Sequence, residues 1–387
     1  MTNTTDLKIL IVAPNASSKF GGEAFLPLQH FRILRQRGYP VRLIAHSRNR
    51  ADIEATLASH LDAIHFIEDS VVHRAIWRTG NIFPGLIRDA IFGTALSLVN
   101  ETFQARVIRA LVQKRVVDII HQPIPVSPKA PSSLYGFGVP VVIGPMNGGM
   151  AYPEGYEDHE SRSARRFVGV ARVIATLLNR IIPGKRKASA LLVANERTRA
   201  ALPVRNHPRV ITLVENGVDL SVWRPDPARH DTARTGTLKL VFMGRLVALK
   251  AVDITLDAIR IARESGIEVT LDILGDGAER GALEVAARNL GLGDAVRFLG
   301  FRGQDECADI LKRADALILN SLRECGGAVV LEAMSLGLPV IASDWGGPAD
   351  YIDPSCGILV SPTPRANFAV RLAAAITRLA ADPMLRR

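Results

Sequence analysis

The segment 316–343 constrains the fold of this chain more than any other stretch. An apolar run over 316–319 predicts a buried strand, and a polar turn with a Gly-Gly pair follows it. A helical pattern over 328–336 ends at Gly337, and an apolar run over 340–343 predicts a second strand. A strand, a turn, a helix and a strand in this order form the repeating unit of a parallel sheet that is covered by helices.

The same alternation of strands and helical patterns extends over both halves of the chain, so we expect an α/β protein with doubly wound sheets. The predicted strands are residues 8–13, 41–45, 64–67, 118–121, 139–144, 191–194, 210–214, 238–243, 269–274, 296–299, 316–319, 340–342 and 357–360. A polar break with two prolines and no periodicity covers 223–237 and predicts a linker. We therefore expect a Rossmann-like domain over 1–222, a second over 238–387, and a cleft between them. We also expect a final helix to be missing, because the chain ends shortly after a helical pattern.

Composition supports a folded chain with two domains. The 387 residues are 48% hydrophobic and 22% charged, which allows sizeable cores and excludes general disorder. No apolar run is long enough to span a bilayer, and the N-terminus lacks the layout of a signal peptide. Three scattered cysteines, at 307, 325 and 356, have no metal-ligand spacing and fit a reducing compartment. These features predict a cytoplasmic protein without a bound metal.

The charge balance points to anionic partners. The formal net charge is +10, which favours nucleotides, anionic lipid surfaces or nucleic acid. Aromatic residues make up only 5% of the chain, and no zinc-finger or RNA-binding signature is present. We therefore expect no nucleic-acid partner.

The turn after residue 319 carries a candidate anion site. The backbone N–H groups near Gly326, Gly327 and Ala328 lie at the positive end of the predicted helix, where a phosphate can approach glycine closely. Glu332 follows roughly 7 Å along the helix axis, about the distance from a diphosphate to the ribose of a nucleotide. This spacing fits a nucleotide sugar, with Glu332 on the ribose and Glu324 on the sugar. The alternative is an ordinary loop glutamate and an ordinary helix glutamate.

Other predicted strands of the second half end in similar loops. After the strand 238–243 come Gly244, Arg245 and Lys250, which place two cations where a diphosphate would lie. Gly275 follows the next strand, and the backbone at Phe301 and Arg302 follows the third and could pair with a base. A further glycine-rich loop covers 344–350. Because ligands of open α/β sheets bind at the carboxyl ends of strands, these loops predict one site.

The first half offers two weaker signals. Gly21 and Gly22 follow the first strand and could contact a diphosphate or an acceptor, although a Gly-Gly pair there is often only a turn. Residues 161–187 contain eight basic residues and no acidic residue, with apolar residues at helical spacing. Such a helix can lie on an anionic membrane. The alternative, slightly favoured, is a helix packed on the sheet with a solvated basic side.

The motifs of the second half, in their order and spacing, resemble the donor domain of retaining GT-B glycosyltransferases, in the large family 4 that includes glycogen synthase-like and mannosyltransferase-like enzymes. The resemblance rests on Gly244-Arg245-Leu246 with Lys250, on Gly275-Asp276-Gly277, on Gly300-Phe301, and on Glu324 eight positions before Glu332-Ala333-Met334. The first half is similar more loosely, through Gly21-Gly22, the strand that ends at His121, and Glu215-Asn216-Gly217-Val218-Asp219 before the linker.

The resemblance implies a metal-independent transferase that uses a nucleotide-sugar donor, needs no cofactor and retains the anomeric configuration. Arg245 and Lys250 would hold the diphosphate and neutralise the leaving group, Glu332 would bind the ribose, and Glu324 would bind the transferred sugar. The backbone at Phe301 or Arg302 would bind the base. A glycan, a lipid-linked sugar or a polysaccharide precursor would be the acceptor.

This sequence departs from the family pattern at two places. The usual Glu-Gly-Phe-Gly is Glu324-Cys325-Gly326-Gly327 here, so the preferred sugar stays open. Only the first histidine of the His-x-His pattern remains, as His121, which is either a ligand contact or a strand-end histidine. Asn147 is expected at a similar strand end. Two other functions stay open, a catalytically silent GT-B subunit and a nucleotide-sugar 2-epimerase-like isomerase. A nicotinamide dehydrogenase is disfavoured because no Gly-x-Gly-x-x-Gly follows the first strand.

Overall fold

The chain forms two compact units. A computed structural model describes residues 6–19, 22–159, 162–204, 206–225 and 236–386. One unit comprises Met1–Gly149 with Arg162–Glu215, and the other comprises Met150–Ser161 with Asn216–Arg387. Each unit contains one parallel sheet covered by helices, which confirms the predicted α/β class with two Rossmann-like domains.

The first unit is built on a seven-stranded parallel sheet in the order β3-β2-β1-β4-β5-β6-β7. Its strands are β1 Ile9–Val12, β2 Val41–His46, β3 Ile64–Ile67, β4 Ile119–Gln122, β5 Val141–Met146, β6 Ala190–Val193 and β7 Val210–Thr212. The order reverses between β1 and β4, which is the switch point of a doubly wound sheet. Every strand predicted for this half is present, with ends that differ from the prediction by at most two residues.

The helices of the first unit follow the strands that precede them. They are α1 Leu26–Gln36, α2 Arg50–Thr56, α3 Val71–Gly80, α4 Gly85–Ile87, α5 Gly93–Gln113, α6 Arg162–Ile181, α7 Gly184–Lys187 and α8 Glu196–Ala201. A π-helical turn, Arg88–Phe92, joins α4 to α5. None of the helices in the described ranges combines the length and apolar character needed to cross a bilayer.

The second unit is built on a six-stranded parallel sheet in the order β10-β9-β8-β11-β12-β13, and its order reverses between β8 and β11. Its strands are β8 Leu238–Met243, β9 Val269–Leu274, β10 Val296–Gly300, β11 Ala316–Leu319, β12 Val340–Ser343 and β13 Gly357–Val360. Its helices are α9 Val252–Glu264, α10 Arg280–Asn289, α11 Gln304–Lys312, α12 Ala328–Ser335 and α13 Phe368–Ala381. Strands β8, β11 and β12 are almost entirely buried, as expected of a parallel sheet covered on both faces.

The second unit also takes in residues that the prediction of a first domain over 1–222 placed elsewhere, namely 150–161 and 216–222. Tyr156 is fully buried in the core of this unit, and its hydroxyl donates a hydrogen bond to the carbonyl oxygen of Pro362 at 3.2 Å. Trp223, the first residue of the predicted linker, is buried in the same core, whereas most of 223–237 lies outside the described residues. The prediction placed one boundary between the domains, but residues 150–161, which precede β6 in the chain, also belong to the second unit.

Candidate functional site

The candidate site lies in the second unit, at the carboxyl ends of β8 and β11 where the strand order reverses. At such a switch point the connections that follow the two neighbouring strands run to opposite faces of the sheet and leave a crevice, which is the usual ligand site of doubly wound sheets. The structure brings together here two of the predicted motifs, the loop of Arg245 and Lys250 and the turn of Glu324.

Lys250 and Glu324 form an ion pair at this switch point, between Lys250 Nζ and Glu324 Oε2. Their side chains are only 14% and 17% exposed, so both charges are largely withdrawn from water. The hydroxyl of Ser321 lies 3.5 Å from the same carboxylate oxygen. The backbone also joins the two loops, because Leu322 N–H donates to the carbonyl oxygen of Leu249 at 2.9 Å. The pair is thus a built feature of the fold, and each group keeps the other from being an uncompensated buried charge.

The position of Lys250 depends on two residues that the sequence analysis missed. Ala251 is the N-cap of α9 and lies in the left-handed region (φ 49°, ψ 42°), a conformation that is unfavourable for a residue with a Cβ. The side-chain amide of buried Asn320 donates to the Ala251 carbonyl oxygen at 2.8 Å, and the hydroxyl of buried Thr255 donates to Asn320 Oδ1 at 2.6 Å. The available sequence signal was an asparagine directly after a buried strand, where a buried amide must find partners.

Glycine at the ends of β8 and β9 serves close packing of the loops. A Cβ on Gly275 would lie 1.9 Å from the carbonyl oxygen of Gly244, and one on Gly277 would lie 2.2 Å from that of Leu246. The N–H of Gly275 donates to the carbonyl oxygen of Gly300 at 2.8 Å. The predicted donor contact Gly275 therefore uses its N–H within the fold, and it contributes by letting the first two loops approach each other.

The turn before α12 has the predicted helix-start geometry. Gly327 is the N-cap of α12 with a positive φ of 77°, and α12 begins at Ala328. Among the described residues, no acceptor contacts the N–H of Gly326 or Gly327, and the first N–H groups of a helix have no partner in a preceding turn. The carbonyl oxygen of Glu324 points the other way and accepts from Gly347 N–H at 2.8 Å. The turn can therefore direct N–H groups at an anion.

The loop 344–350 packs against the backbone of this turn. A Cβ on Gly346 would lie 2.5 Å from the carbonyl oxygen of Glu324, and one on Gly347 would lie 2.3 Å from that of Cys325. Only glycine lets these two backbones pack this closely. The loop that appeared in the sequence as a further open turn is thus a support for the Glu324 turn.

Glu332 on α12 is half-buried, and this burial raises the pKa of its carboxyl group to about 7. No hydrogen-bond donor contacts its carboxylate in the part of the chain that the structure describes. Its charge, after burial itself, also helps to raise the pKa of the Cys307 thiol, to about 11. A half-buried carboxylate that accepts no hydrogen bond from the described residues is suited to accept them from hydroxyl groups of a ligand.

The remaining predicted contacts of the second unit are exposed. Arg245 is exposed and has no ion-pair partner within the described residues. Phe301 is 81% exposed and follows Gly300, whose φ is +72°. Arg302 lies 3.8 Å from Glu306 in a surface ion pair. Within the described residues, Arg245 is thus an exposed cation that is available to a ligand.

The predicted residues of the first unit have partners of their own. His121 is half-buried, its Nε2–H donates to the carbonyl oxygen of Gly144 at 2.7 Å, and burial lowers its pKa. Asn147 is buried and donates through Nδ2 to Glu215 Oε1. Gly22 begins a short 3₁₀ turn with φ +65°, and Gly21 lies outside the described residues. His121 and Asn147 thus both form hydrogen bonds within the first unit.

No sequence pattern indicated the cluster of His46, Asp69 and His73, whose ligand atoms lie within 4.8 Å of one another. In both histidines Nδ1 accepts a backbone N–H at 3.2 Å, from Arg48 and from Ser70. Each neutral ring therefore carries its proton on Nε2, and a protonated nitrogen has no lone pair for a metal ion. The Nε2–H of His46 instead faces Asp69 Oδ1 at 3.3 Å. The hydrogen bonds fit a histidine–carboxylate contact better than a metal centre.

Two parallel Rossmann-like sheets, the second with a charged switch point, define the GT-B class of fold. Residues 228–387 match the family model described as Glycosyl transferases group 1. The solved structure of the Anabaena protein HepE in complex with UDP is similar over 98% of this chain and 93% of that one, with a TM-score of 0.65 and 16% sequence identity. This likeness shows the fold.

Curated relatives match mainly over part of their length. The chain is 35% identical over 216 residues to a D-inositol 3-phosphate glycosyltransferase of Streptomyces bingchenggensis, which is 51% of this chain and 47% of that protein. It is 35% identical over 174 residues to a glycogen synthase of Mycobacterium tuberculosis, which is 45% of this chain and 40% of that protein. The chain thus spans about half the length of the curated relatives that it matches.

Proposed function

We propose that this protein is a retaining glycosyltransferase of family 4 that transfers a sugar from a nucleotide-sugar donor. The observation that carries the proposal is the Lys250–Glu324 ion pair at the switch point of the second sheet, directly before the N-terminus of α12. The names of the relatives support a glycosyltransferase, and the HepE structure contains UDP. The acceptor class that we propose is a glycan, a lipid-linked sugar or a polysaccharide precursor.

In this proposal Lys250 and Arg245 hold the donor diphosphate. Cleavage of the sugar–phosphate bond places negative charge on the departing phosphate oxygen, and preorganised cations and helix N–H groups stabilise that charge. Gly326, Gly327 and Ala328 supply such N–H groups at the start of α12. Because these groups are already in place, little reorganisation is needed when the charge develops.

In this proposal the Lys250–Glu324 ion pair opens when the donor binds, and each side chain then contacts a different part of the donor. Lys250 would turn from the carboxylate to the diphosphate, and the released Glu324 carboxylate would accept hydrogen bonds from hydroxyl groups of the transferred sugar. Glu332, which lacks donors in the free protein, would accept from the ribose hydroxyls. The exposed backbone at Phe301 and Arg302 would pair with the base.

The first unit would bind the acceptor, with Gly21, Gly22 and His121 as candidate contacts. We propose a metal-independent reaction without a cofactor, because Arg245 and Lys250 supply positive charge to the leaving group. A cytoplasmic protein that associates peripherally with the membrane would have access to lipid-linked acceptors. Activity that survives an excess of EDTA would support the metal-independent part, and its loss with recovery on adding Mg²⁺ would contradict it.

A donor panel tests the proposal. The purified chain is heated with UDP-, GDP- and ADP-sugars, and we expect one nucleotide class to raise the melting temperature by a few degrees. Product analysis with candidate glycan acceptors should then show the anomeric configuration of the donor. No shift with any donor would overturn donor binding. Binding without turnover would favour a silent subunit, and isomerised sugar nucleotide would favour an epimerase.

A further inference from the structure

Helix α6 of the first unit exposes an apolar stripe. Val170, Val173, Ile174, Leu177 and Ile181 are 59%, 61%, 49%, 48% and 76% exposed. Their spacing of three or four residues places them in an arc of about 100° on one side of the helix. The structure thus shows these five apolar residues at the surface, whereas Val168, Ala171 and Leu178 of the same helix are half-buried.

The opposite side of α6 is attached to its own unit. Asn179 is 3% exposed, and its side-chain amide donates to the carbonyl oxygen of Lys129 at 2.9 Å and to that of Ala175 at 2.8 Å. Asn179 lies roughly half a turn away from the centre of the stripe. The helix therefore contacts its unit through the side of Asn179, and the stripe is a second apolar side that is largely exposed.

The segment that contains the stripe carries only positive charge. Residues 161–187 contain eight basic residues and no acidic residue. Arg166, Arg172 and Arg180 of α6 are exposed, and a shallow groove beside the stripe contains Arg172 and Arg180 together with Lys129. A second copy of this chain would present the same cations to the stripe, so self-association through this face would be repulsive. An anionic occupant with an apolar interior fits both the stripe and the charges.

We propose that α6 is a membrane-docking helix that inserts its apolar stripe into the headgroup boundary of an anionic bilayer, with its arginines on lipid phosphates. Helices with an apolar side and a basic side bind such surfaces in the interfacial plane. The 20 residues of α6 extend about 30 Å along that plane. The inference deepens the proposed peripheral membrane location and rests on the proposed function only there.

Vesicle co-sedimentation of the full chain tests the inference. Wild-type protein should sediment with phosphatidylcholine vesicles that contain about one third phosphatidylglycerol, and it should stay in the supernatant with pure phosphatidylcholine or in high salt. The double variant Val173→Asp, Leu177→Asp should bind the anionic vesicles at least about ten-fold more weakly. Val285→Asp on α10 is the matched control, because Val285 is 47% exposed on the other unit. This control should bind as the wild type does.

Three outcomes would overturn the inference. These are wild-type protein that ignores anionic vesicles, a double variant that binds them as tightly as the control, and a dimer in light scattering that the double variant dissociates. The donor-induced melting shift is measured on the same samples. Lost vesicle binding with a preserved shift contradicts membrane docking alone, whereas a lost shift in every sample contradicts the proposed function.

Discussion

The side-chain amide of Asn320 donates a hydrogen bond to the carbonyl oxygen of Ala251 at 2.8 Å, one residue after Lys250. The hydroxyl of Thr255 donates a hydrogen bond to Asn320 Oδ1, the oxygen of the same side-chain amide, at 2.6 Å. These hydrogen bonds connect the end of β11 to the first turn of α9 and fix the left-handed residue Ala251, which directly follows Lys250. Thr255 and Asn320 are therefore positioning residues for the lysine.

Thr255→Val should loosen the position of Lys250. The substitution leaves Asn320 Oδ1 buried without a donor, which costs about 1 to 3 kcal/mol of unfolding free energy. We expect kcat/KM for the donor to fall about ten-fold, because misplaced catalytic groups lose preorganisation. Thr255→Ser keeps the hydroxyl and should restore most of kcat/KM. A purely structural role would lower stability in Thr255→Val and leave the kinetic constants at low temperature unchanged.

Removing either partner of the Lys250–Glu324 pair should destabilise the donor-free protein. Lys250→Met and Glu324→Gln each leave one mostly buried charge unpaired, and we expect each to lower the free energy of unfolding by about 2 kcal/mol. The double variant should lose less than the sum, which denaturant titration of the four proteins measures. Each single variant should also lower kcat by about 100-fold or more.

The control for this cycle is Glu264→Gln, which removes an exposed ion pair between Arg260 and Glu264 on α9. Surface pairs contribute about 0 to 1 kcal/mol, so this variant should melt almost as the wild type does. If the losses of unfolding free energy in Lys250→Met and Glu324→Gln were strictly additive, the pair would have no interaction energy in solution. Unimpaired transfer in either variant would contradict the site assignment.

The fold could be predicted because its signals are local. A parallel strand buried on both faces is a short apolar run, and every predicted strand of both sheets is present. The order of strands and loops along the chain also places Lys250 and Glu324 near each other, since the ends of β8 and β11 meet at the switch point. Patterns of this kind depend on residues close in sequence.

Contacts between residues far apart in sequence were beyond this reasoning. The roles of Gly275 and Gly346 depend on carbonyl oxygens of Gly244 and Glu324, which no local pattern shows. Asn147 was expected at a strand end facing a ligand, and its amide contacts the Glu215 carboxylate 68 positions later. Periodicity predicted helix α6, and only the packing of Asn179 shows which side faces the protein.

Acid should destabilise the fold through His30. Burial, and to a lesser degree the neighbouring His121, lowers its pKa from 6.5 to about 4, so the unfolded chain binds the proton between these values. The contribution of His30 to the free energy of unfolding is therefore fully present above pH 6.5. It falls by about 2 to 3 kcal/mol as the pH decreases towards 4. His30→Leu should flatten the dependence measured by denaturant melts at pH 7.5 and 5. An unchanged slope would assign the acid sensitivity to other groups.

Glu332→Gln should separate stability from donor binding. Burial raises the pKa of Glu332 from 4.5 to about 7, so the folded state binds the proton more tightly than the unfolded chain does. Ionisation thus lowers stability as the pH rises from 4.5 through 7, by about 2 to 3 kcal/mol. Glu332→Gln removes this penalty and should raise the unfolding free energy at pH 8 while having a small effect at pH 5.

In the same Glu332→Gln variant, donor affinity should fall about ten-fold, because a neutral amide accepts weaker hydrogen bonds from ribose hydroxyls than a carboxylate does. The exposed Glu268→Gln is the control and should change neither quantity. A variant that is less stable at pH 8, or that binds the donor as tightly as the wild type, would show that Glu332 is not the carboxylate reserved for the ribose.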